Sequence, residues 1–369
     1  MKRNILLILL AAVLVSPAAW ARAARYETVK LDPASPEILY TGRTMVQDGA
    51  VVCNWSGVYA QLKFEGSALK INCRTDRKVM LNVWVDNPMG AEADLVVTVG
   101  QKDSSIVLAS GLGKGQHKVF IQKRSEGGQG TLFINSYELT GKLLPADPGK
   151  ERLIEVIGDS YTCGYGTEPS HKNDPFKVET ENCNYAYGCI IARYFDADYR
   201  LVSHSGIGVA RNFNDGGKYT MVDLYSRTLD TEEDCPAWDH QSARKPDVVI
   251  IYLGTNDFSR GKAPTLSNFC KKYKSLIDQV KSAYGESVPV VCVGSRIDEM
   301  AGTYVKEAVE RCGHSNVSWM QFNATIHNNE DELGASNHPN YRGQKKKAMA
   351  LIPYIATATG WQLEDKPVR

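Results

Sequence analysis

The chain has 369 residues, which is long for one compact domain and leaves room for two domains that each bury a core. Its formal net charge is only +1, and no block of like charge indicates a nucleic acid or another polyanion as partner. The nine cysteines include no CxxC pair and no Cys/His cluster, so their spacing is not typical of a zinc site.

The first residues have the pattern of a secretory signal peptide. Two basic residues precede the apolar run Ile5–Val15, and Ala19 and Ala21 stand at the two positions that a signal peptidase reads. The run is short for a bilayer span, and no later stretch is long and apolar enough for one. We therefore expect residues 1–21 to be cleaved and the mature protein to be secreted or periplasmic, without a membrane span.

Short β-type segments dominate residues 22–141. Apolar and polar residues alternate over Ala60–Phe64 and again over Leu69–Cys73, and the Glu-Gly-Ser sequence between them predicts the turn of an antiparallel hairpin. Further alternating segments follow, separated by Asn-Pro, Gly-Leu-Gly and Gly-Gly-Gln-Gly breaks. About seven such strands without a helical period predict a β-sandwich of jelly-roll type.

Residues 142–151 read KLLPADPGKE, a polar stretch with two prolines that suits a short, stiff connection between domains. After it, apolar strands alternate with helical segments. Strands are predicted at Leu153–Ile157, Arg200–Val202, Val248–Leu253, Val288–Val293 and Val317–Phe322, and helices near Tyr185–Phe195, Leu266–Tyr284, Tyr304–Arg311 and Arg342–Thr357. This alternation predicts a second domain over residues 152–369, with a parallel sheet covered by helices on both faces.

Ligands of such a sheet bind beyond the carboxyl ends of its strands. The first strand runs into Ser160, the second is followed by Gly206, the third is followed by Asn256, and His338 stands just before the last helix. Each residue has an ordinary explanation when taken alone, as a turn serine, a turn glycine, a capping amide or a surface histidine. Their joint occurrence at strand ends and at a helix start favours one common site.

Acyl transfer needs this set of groups. A serine is a poor nucleophile until a histidine takes its proton, and the tetrahedral intermediate needs preorganised hydrogen-bond donors. We expect Ser160 to be the nucleophile and His338 the base. The N–H groups of Ser160 and Gly206, with the side-chain amide of Asn256, would form the oxyanion hole. This chemistry requires neither a metal nor a cofactor.

The segments IEVIGDSYTCGYG, NYAYG, SHSGIGVARN, DLYSRTL and PDVVIIYLGTNDFS, with His338 before a proline, resemble the sequence blocks of the SGNH (GDSL-like) hydrolases. In their order and their residues these segments are similar to carbohydrate esterase family two, and the similarity extends over nearly the whole mature chain. The resemblance implies a jelly-roll β-sandwich before a flavodoxin-like, three-layer α/β/α SGNH hydrolase domain. It also implies an esterase that removes O-acetyl groups from plant-type polysaccharides or oligosaccharides such as xylan and glucomannan, with Ser160, His338, Gly206 and Asn256 in the roles given above.

The chain departs from the family pattern just before the histidine. SGNH enzymes often carry an aspartate three residues before it, and family two typically reads Asp-Trp-His-Pro, whereas this chain reads Ser336-Asn337-His338-Pro. We therefore expect the backbone carbonyl of Ser336 to hold the imidazole, which would give a catalytic dyad. The alternative is that Asp331 or Glu332 reaches in from the preceding loop.

At the same place, Asn337 stands where the family has a tryptophan. That aromatic side chain resembles a platform for a sugar ring, and Asn337 cannot stack in that way. Tyr165 and Tyr187 lie near the predicted rim, and Trp238 precedes the third strand. These four residues are our candidates for substrate binding, and ordinary packing is the alternative for each aromatic one.

The loop Gly166–Asn182 follows the nucleophile and is longer than a usual connection. It is polar and charged and contains two prolines. Two interpretations stay open, a wall of the substrate cleft or a disordered insertion. Cys163 and Cys183 flank the loop and are the candidate pair for a disulfide bridge.

Two other functions fit parts of the pattern. A lipid or thioester hydrolase of the same fold is one, although no apolar lid is evident in the sequence. A carbohydrate-binding protein that has lost catalysis is the other, and the missing aspartate and the β-rich front half favour it. The presence of all four rim residues argues against the second alternative.

Overall fold

The computed structural model describes residues 26–295, 299–323, 326 and 329–369. The predicted signal peptide, residues 1–21, lies outside the described residues. Within the described residues an antiparallel sheet is followed by a parallel sheet with helices, which confirms the predicted fold class. None of the helices in these residues is long and apolar enough to cross a membrane.

The first part of the chain forms a ten-stranded antiparallel sheet. Its strands are β1 Thr28–Leu31, β2 Leu39–Thr41, β3 Met45–Gln47, β4 Ala50–Cys53, β5 Tyr59–Thr75, β6 Val79–Val85, β7 Leu95–Val99, β8 Ser104–Ala109, β9 Gln116–Lys123 and β10 Leu132–Leu144. The order is β3-β4-β10-β5-β9-β6-β7, with β1 paired to β10 and with β2 and β8 paired to β5. The sheet therefore branches along β5, whose neighbour is β9 in its first half and β8 in its second.

One continuous strand, β5, replaces the hairpin that the alternation predicted, so this prediction was wrong. Leu62 and Phe64 are buried in the first half, and Leu69 and Ile71 are buried in the second, so the phase of the alternation changes in between. The pairing of β5 with β10 skips one residue of β5 between Gly66 and the next paired position. A β-bulge shifts the phase in this way without turning the chain.

The second part of the chain forms a five-stranded parallel sheet, in the order β12-β11-β13-β14-β15. These strands are β11 Arg152–Gly158, β12 Ala197–Ser203, β13 Val248–Tyr252, β14 Val290–Gly294 and β15 Val317–Gln321, and the two short strands β16 Leu333–Gly334 and β17 His338–Pro339 pair with each other. Residues 145–151 connect β10 to β11. The order 2-1-3-4-5 is that of flavodoxin-like sheets, in which ligands bind at the point where the strand order reverses. That point lies between β11 and β13.

Helices cover both faces of the parallel sheet. They are α1 Ser160–Cys163, α2 Tyr187–Tyr194, α3 Met221–Leu224, α4 Leu266–Tyr284, α5 Glu299–Glu310 and α6 Tyr341–Thr359. On one face α2 and α6 share a core with Ile154 and Val156. On the other face α4 and α5 share a core with Ile157 and Ile251, and this core continues into that of the antiparallel sheet. The two parts of the chain are thus joined by buried side chains.

Candidate active site

Ser160 is the first residue of α1 and lies directly beyond the carboxyl end of β11. The preceding residue, Asp159, caps this short helix, because its Oδ1 accepts the N–H of Tyr161 at 3.0 Å. A Cβ on Gly158 would stand 2.0 Å from the Thr162 hydroxyl oxygen, so the abrupt change from strand to helix needs a glycine there. The N–H of Ser160 belongs to the first turn of α1 and has no intrahelical partner.

His338 faces the serine. Its Nε2 lies 2.9 Å from the Oγ of Ser160, and its Nδ1 lies 3.1 Å from the carbonyl oxygen of Ser336. A carbonyl oxygen only accepts hydrogen bonds, so Nδ1 carries the proton and Nε2 presents its lone pair to the serine hydroxyl. Burial lowers the pKa of His338 to about 4. The imidazole is therefore neutral at neutral pH and able to accept a proton.

The two carboxylates that could have oriented this imidazole are engaged elsewhere. Asp331 pairs with Arg342 at 2.7 Å, and Glu332 pairs with Lys346. The geometry matches the expected contact with the carbonyl of Ser336 and gives no support to the alternative of Asp331 or Glu332.

The segment before the histidine has an uncommon backbone. Ser336 and Asn337 have φ values of +55° and +59°, in the left-handed region, and this turns the carbonyl of Ser336 back toward the ring. The N–H of Ser336 donates to the carbonyl of Asp174 at 2.9 Å, and that of Asn337 donates to the carbonyl of Lys172 at 2.9 Å. The long loop Gly166–Asn182 thus fixes the segment that carries the histidine, a role that sequence analysis did not assign to it.

Gly206 follows β12 and has a φ of +80°. Its carbonyl accepts the N–H of Phe213 at 2.8 Å, whereas its own N–H makes no hydrogen bond within the described ranges. The carboxylate of Asp257 accepts the backbone N–H groups of Val209, Ala210 and Arg211 at 2.7–3.2 Å. This contact holds the loop that carries Gly206. Asp257 stands in the segment PDVVIIYLGTNDFS, but its spacing alone did not indicate this role.

The Asn256 amide lies between the loops that follow β11 and β12. Its Nδ2 donates to the carbonyl of Ile207 at 2.8 Å and lies 3.3 Å from Oδ2 of Asp159. One amide hydrogen of Asn256 is therefore firmly bound, and the other makes only a long contact with Asp159, next to Ser160. Burial raises the pKa of Asp159 to about 7.

The aromatic residues predicted to bind substrate lie in different environments. Tyr165 lies at the site, where its ring centre is 4.2 Å from that of His338 and 4.1 Å from that of Phe176. It packs against the imidazole of His338 and is not an open platform. Tyr187 is fully buried and bonds Thr162 at 2.7 Å, so it cannot contact a substrate.

Trp238 lies against the buried arginines Arg43 and Arg200, at 5.6 and 5.7 Å from its ring centre, rather than among the site residues. Asn337 is exposed beside His338. The prediction of Trp238 as a substrate-binding residue is therefore wrong, since Trp238 lines a cavity with Leu153 and Asp198 near the amino ends of β11 and β12, away from the carboxyl ends.

Phe213 is an aromatic residue that sequence analysis missed. Its side chain is 51% exposed, and it lines a cavity of about 520 Å³ together with Gly206, Asn212 and Tyr219. The cavity therefore opens directly beside the loop that bears the N–H of Gly206. Exposure depends on the whole fold, and no local pattern in the sequence gave a signal for it.

Cys163 and Cys183 do not form the predicted disulfide, and all nine cysteines are free thiols. The Sγ of Cys163 contacts Glu126 and Ser203 at 3.3 Å each, whereas the Sγ of Cys183 contacts the carbonyl of Lys123 at 3.7 Å. The two thiols face different partners, so flanking the same loop does not bring them together.

Comparison with known proteins identifies both parts of the chain. The protein-family model "Carbohydrate esterase 2 N-terminal" matches residues 40–148, and the protein-family model "GDSL-like Lipase/Acylhydrolase" matches residues 154–351. A protein named acetylxylan esterase / glucomannan deacetylase from Cellvibrio japonicus is 32% identical over 271 residues, which cover 70% of this chain and 69% of that protein.

The cellulase/esterase CelE of Acetivibrio thermocellus is also 32% identical, over 340 residues that cover 89% of this chain. The match spans only 40% of that longer protein. Among solved structures, a family two carbohydrate esterase from Clostridium thermocellum in complex with cellohexaose is 31% identical and superposes with a TM-score of 0.81. That match covers 88% of this chain and 100% of the other.

Proposed function

Because the chain belongs to carbohydrate esterase family two and is a carboxylic ester hydrolase, we propose that it removes O-acetyl groups from plant-type polysaccharides such as xylan or glucomannan. The observation that carries the mechanism is the 2.9 Å contact between Ser160 and His338. The substrate class is supported by the relative from Cellvibrio japonicus, whose name gives both an acetylxylan esterase and a glucomannan deacetylase activity.

The reaction begins with attack of the Ser160 Oγ on the acetyl carbonyl carbon, while Nε2 of His338 takes the hydroxyl proton. The carbonyl oxygen becomes an oxyanion that accepts the N–H groups of Ser160 and Gly206. The amide of Asn256 adds a third donor when its second hydrogen leaves the 3.3 Å contact with Asp159. Each donor of this kind lowers the barrier by about 3 kcal/mol.

Collapse of the intermediate breaks the bond between the acetyl carbon and the sugar oxygen. His338 returns its proton to that oxygen, so the sugar leaves as a neutral alcohol and the acetyl group stays on Ser160. A water molecule then gives a proton to Nε2 and attacks the acyl-enzyme. Acetate departs, and the proton returns to the Oγ of Ser160.

The cavity beside Gly206 is our proposed place for the sugar. Phe213 exposes an aromatic ring there, and such a ring offers an apolar face to a pyranose. This residue replaces the stacking side chain that is absent at Asn337. Tyr165 has a different part in the proposal, because its ring packs on the imidazole of His338.

Acetate release tests this function. We expect the purified protein to release acetate from 4-nitrophenyl acetate and from acetylated xylan or glucomannan. Ser160→Ala should abolish release, whereas Ser242→Ala, at an exposed serine bonded to Asp239, should keep it. Equal turnover by Ser160→Ala would overturn the mechanism.

The same assay separates the two alternatives. Faster release of long acyl chains than of acetate would favour a lipid hydrolase. Binding of xylan, glucomannan or cellohexaose without turnover would favour a carbohydrate-binding protein that has lost catalysis. Cellohexaose is included because it is bound in the solved family structure from Clostridium thermocellum.

We also propose that the protein is exported after cleavage behind Ala21. The basic pair, the apolar run and the small residues at the cleavage positions support this. N-terminal sequencing of the exported protein should begin at Arg22. An intact N-terminus on the exported chain would contradict the proposal.

A further inference from the structure

The segment Lys123–Glu126, at the end of β9, places three charged side chains in the interior. Lys123, Arg124 and Glu126 are only 1%, 4% and 1% exposed. Burying charges is costly unless each one finds partners. The segment belongs to the β-rich part of the chain, yet most of its partners belong to the parallel-sheet part.

The two cations bind mainly backbone carbonyls. Lys123 donates from Nζ to three of them, at 2.5–3.1 Å. Arg124 donates to the carbonyls of Glu179 and Glu181, at 2.6 and 2.7 Å, and so holds the end of the loop that follows the nucleophile. Neither cation forms an ion pair with Glu126 in the described part of the chain. The carboxylate of Glu126 therefore has other partners.

Glu126 contacts the loop of the oxyanion hole. Its Oε2 accepts the backbone N–H of Ser205 at 2.6 Å and the thiol of Cys163 at 3.3 Å. Ser205 immediately precedes Gly206, whose N–H is one of the proposed oxyanion donors. The contact fixes the peptide next to that donor, and the thiol lies on the helix that begins with Ser160.

A second carboxyl group stands beside Glu126. Glu181 accepts the backbone N–H of Glu126 at 3.2 Å, and its other oxygen is buried without a partner among the described residues. Burial raises the pKa of Glu181 well above its usual range, and the charge of Glu126 raises it further. Glu181 therefore keeps its proton to a higher pH than an ordinary glutamate does.

One oxygen of Glu126, one of Glu181 and the Sγ of Cys163 lie within 4.8 Å of one another, which is close enough for a metal ion. The hydrogen bonds within the cluster instead favour protonated side chains. Burial raises the pKa of Cys163 well above its usual range, so the thiol remains protonated and donates to Glu126. The carboxyl group of Glu181 and the thiol of Cys163 would have to lose their protons before a cation could bind there.

The charge of Glu126 also acts on the two neighbouring histidines. Burial lowers the pKa of His204, but its hydrogen bond to Asp230 and the charge of Glu126 outweigh this and raise it to about 9. For His338, burial and the charge of Lys347 lower the pKa, whereas the Ser336 carbonyl and the charge of Glu126 raise it. The charge of Glu126 thus raises the pKa of both histidines, although for His338 burial has the larger effect.

We propose that Glu126, contributed by the β-rich part of the chain, is a positioning residue for the oxyanion hole. The proposal rests on the proposed function. The Ser205 contact holds the peptide that precedes the Gly206 N–H, and the charge of the carboxylate raises the pKa of His338 against the larger effect of burial. The β-rich part of the chain therefore completes the catalytic centre, whether or not it binds sugar.

Two substitutions in the full-length enzyme separate position from charge. Glu126→Gln keeps the shape and an oxygen for the Ser205 N–H but removes the charge. Glu126→Asp keeps the charge but shortens the reach to Ser205. The matched control is Glu179→Gln, at a carboxylate that is 47% exposed and pairs with Lys78 at the surface.

The assay uses 4-nitrophenyl acetate, because this small ester separates catalysis from sugar binding. We expect both Glu126 variants to lower kcat by about tenfold or more, with KM changed less than about twofold. Glu126→Gln should also move the acid limb of kcat/KM to lower pH, whereas Glu126→Asp should leave the limb in place. Glu179→Gln should match the wild type, and circular dichroism should verify that each variant is folded.

A second measurement does not depend on turnover. Titration of ¹³C-labelled histidine by NMR, with the His338 signal assigned by its loss in His338→Gln, should show a lower pKa for His338 in Glu126→Gln. An unchanged pKa and an unchanged kcat in the folded variant would overturn the inference while the esterase function stands. A wild-type protein without esterase activity would refute the proposed function, and the titration would still decide whether Glu126 acts on His338.

Discussion

Replacing Gly166 by alanine should impair catalysis without removing any catalytic group. Gly166 has a φ of +69°, and a Cβ built on it would lie 2.8 Å from the carbonyl oxygen of Ala335 and 3.3 Å from the Cβ of His338. The left-handed conformation costs a non-glycine residue about 1–2 kcal/mol, and relief of the overlap adds about 1–3 kcal/mol. We expect the free energy of unfolding to fall by about 2–5 kcal/mol.

The overlap also displaces the backbone that carries the imidazole. A shift of a few tenths of an ångström acts directly on the 2.9 Å contact between His338 and Ser160, so kcat for 4-nitrophenyl acetate should fall by about tenfold. The matched control is Gly313→Ala, at a glycine with a φ of +76° and no atom within 4 Å of the added Cβ. It should lose stability but keep kcat. A Gly166→Ala variant that loses stability and retains the wild-type kcat would refute this reasoning.

Two further predictions concern the dyad. Asp331→Asn and Glu332→Gln should each keep kcat within about threefold of the wild type. These two carboxylates pair with Arg342 and Lys346, and they do not contact the imidazole. A loss of about a thousandfold from either substitution would show a conventional triad. The pH profile of kcat/KM should fall on the acid side as the pH drops through about 4, because protonated His338 cannot accept the serine proton. An acid limb near the ordinary histidine value of about 6.5 would contradict the effect of burial on this ring.

The sequence predicted the parallel sheet and the four rim residues because both depend on local patterns. The apolar runs that became β11 and β13 are long enough to be read without knowledge of the fold. Parallel strands share one edge for their carboxyl ends, so Ser160 and Asn256 had to meet once the strand order was known. His338 was found by its position before a proline and the last helix.

Features that depend on contacts between distant segments were not predictable. The bulge in β5 follows from its pairing with β10 more than sixty residues later, and its local pattern is indistinguishable from that of a turn. Tyr187 looked available because it lies near the rim in sequence, yet α2 turns it into the core. The role of Glu126 depends on Ser205, which is 79 residues away. No spacing rule connects two such positions.

The absence of an aspartate before the histidine changes what the rest of the site must supply. A carboxylate both orients the imidazole and stabilises its positive charge, whereas the carbonyl of Ser336 is a neutral acceptor that mainly orients it. The precision with which the imidazole is oriented then depends on the backbone that carries the Ser336 carbonyl. The loop Gly166–Asn182 holds that backbone through two further hydrogen bonds. Glu126 is a buried carboxylate whose negative charge raises the pKa of His338, against the larger effect of burial, which lowers it. We infer that a loop of the parallel-sheet part orients the imidazole through the Ser336 carbonyl, while a side chain of the β-rich part holds the peptide beside Gly206.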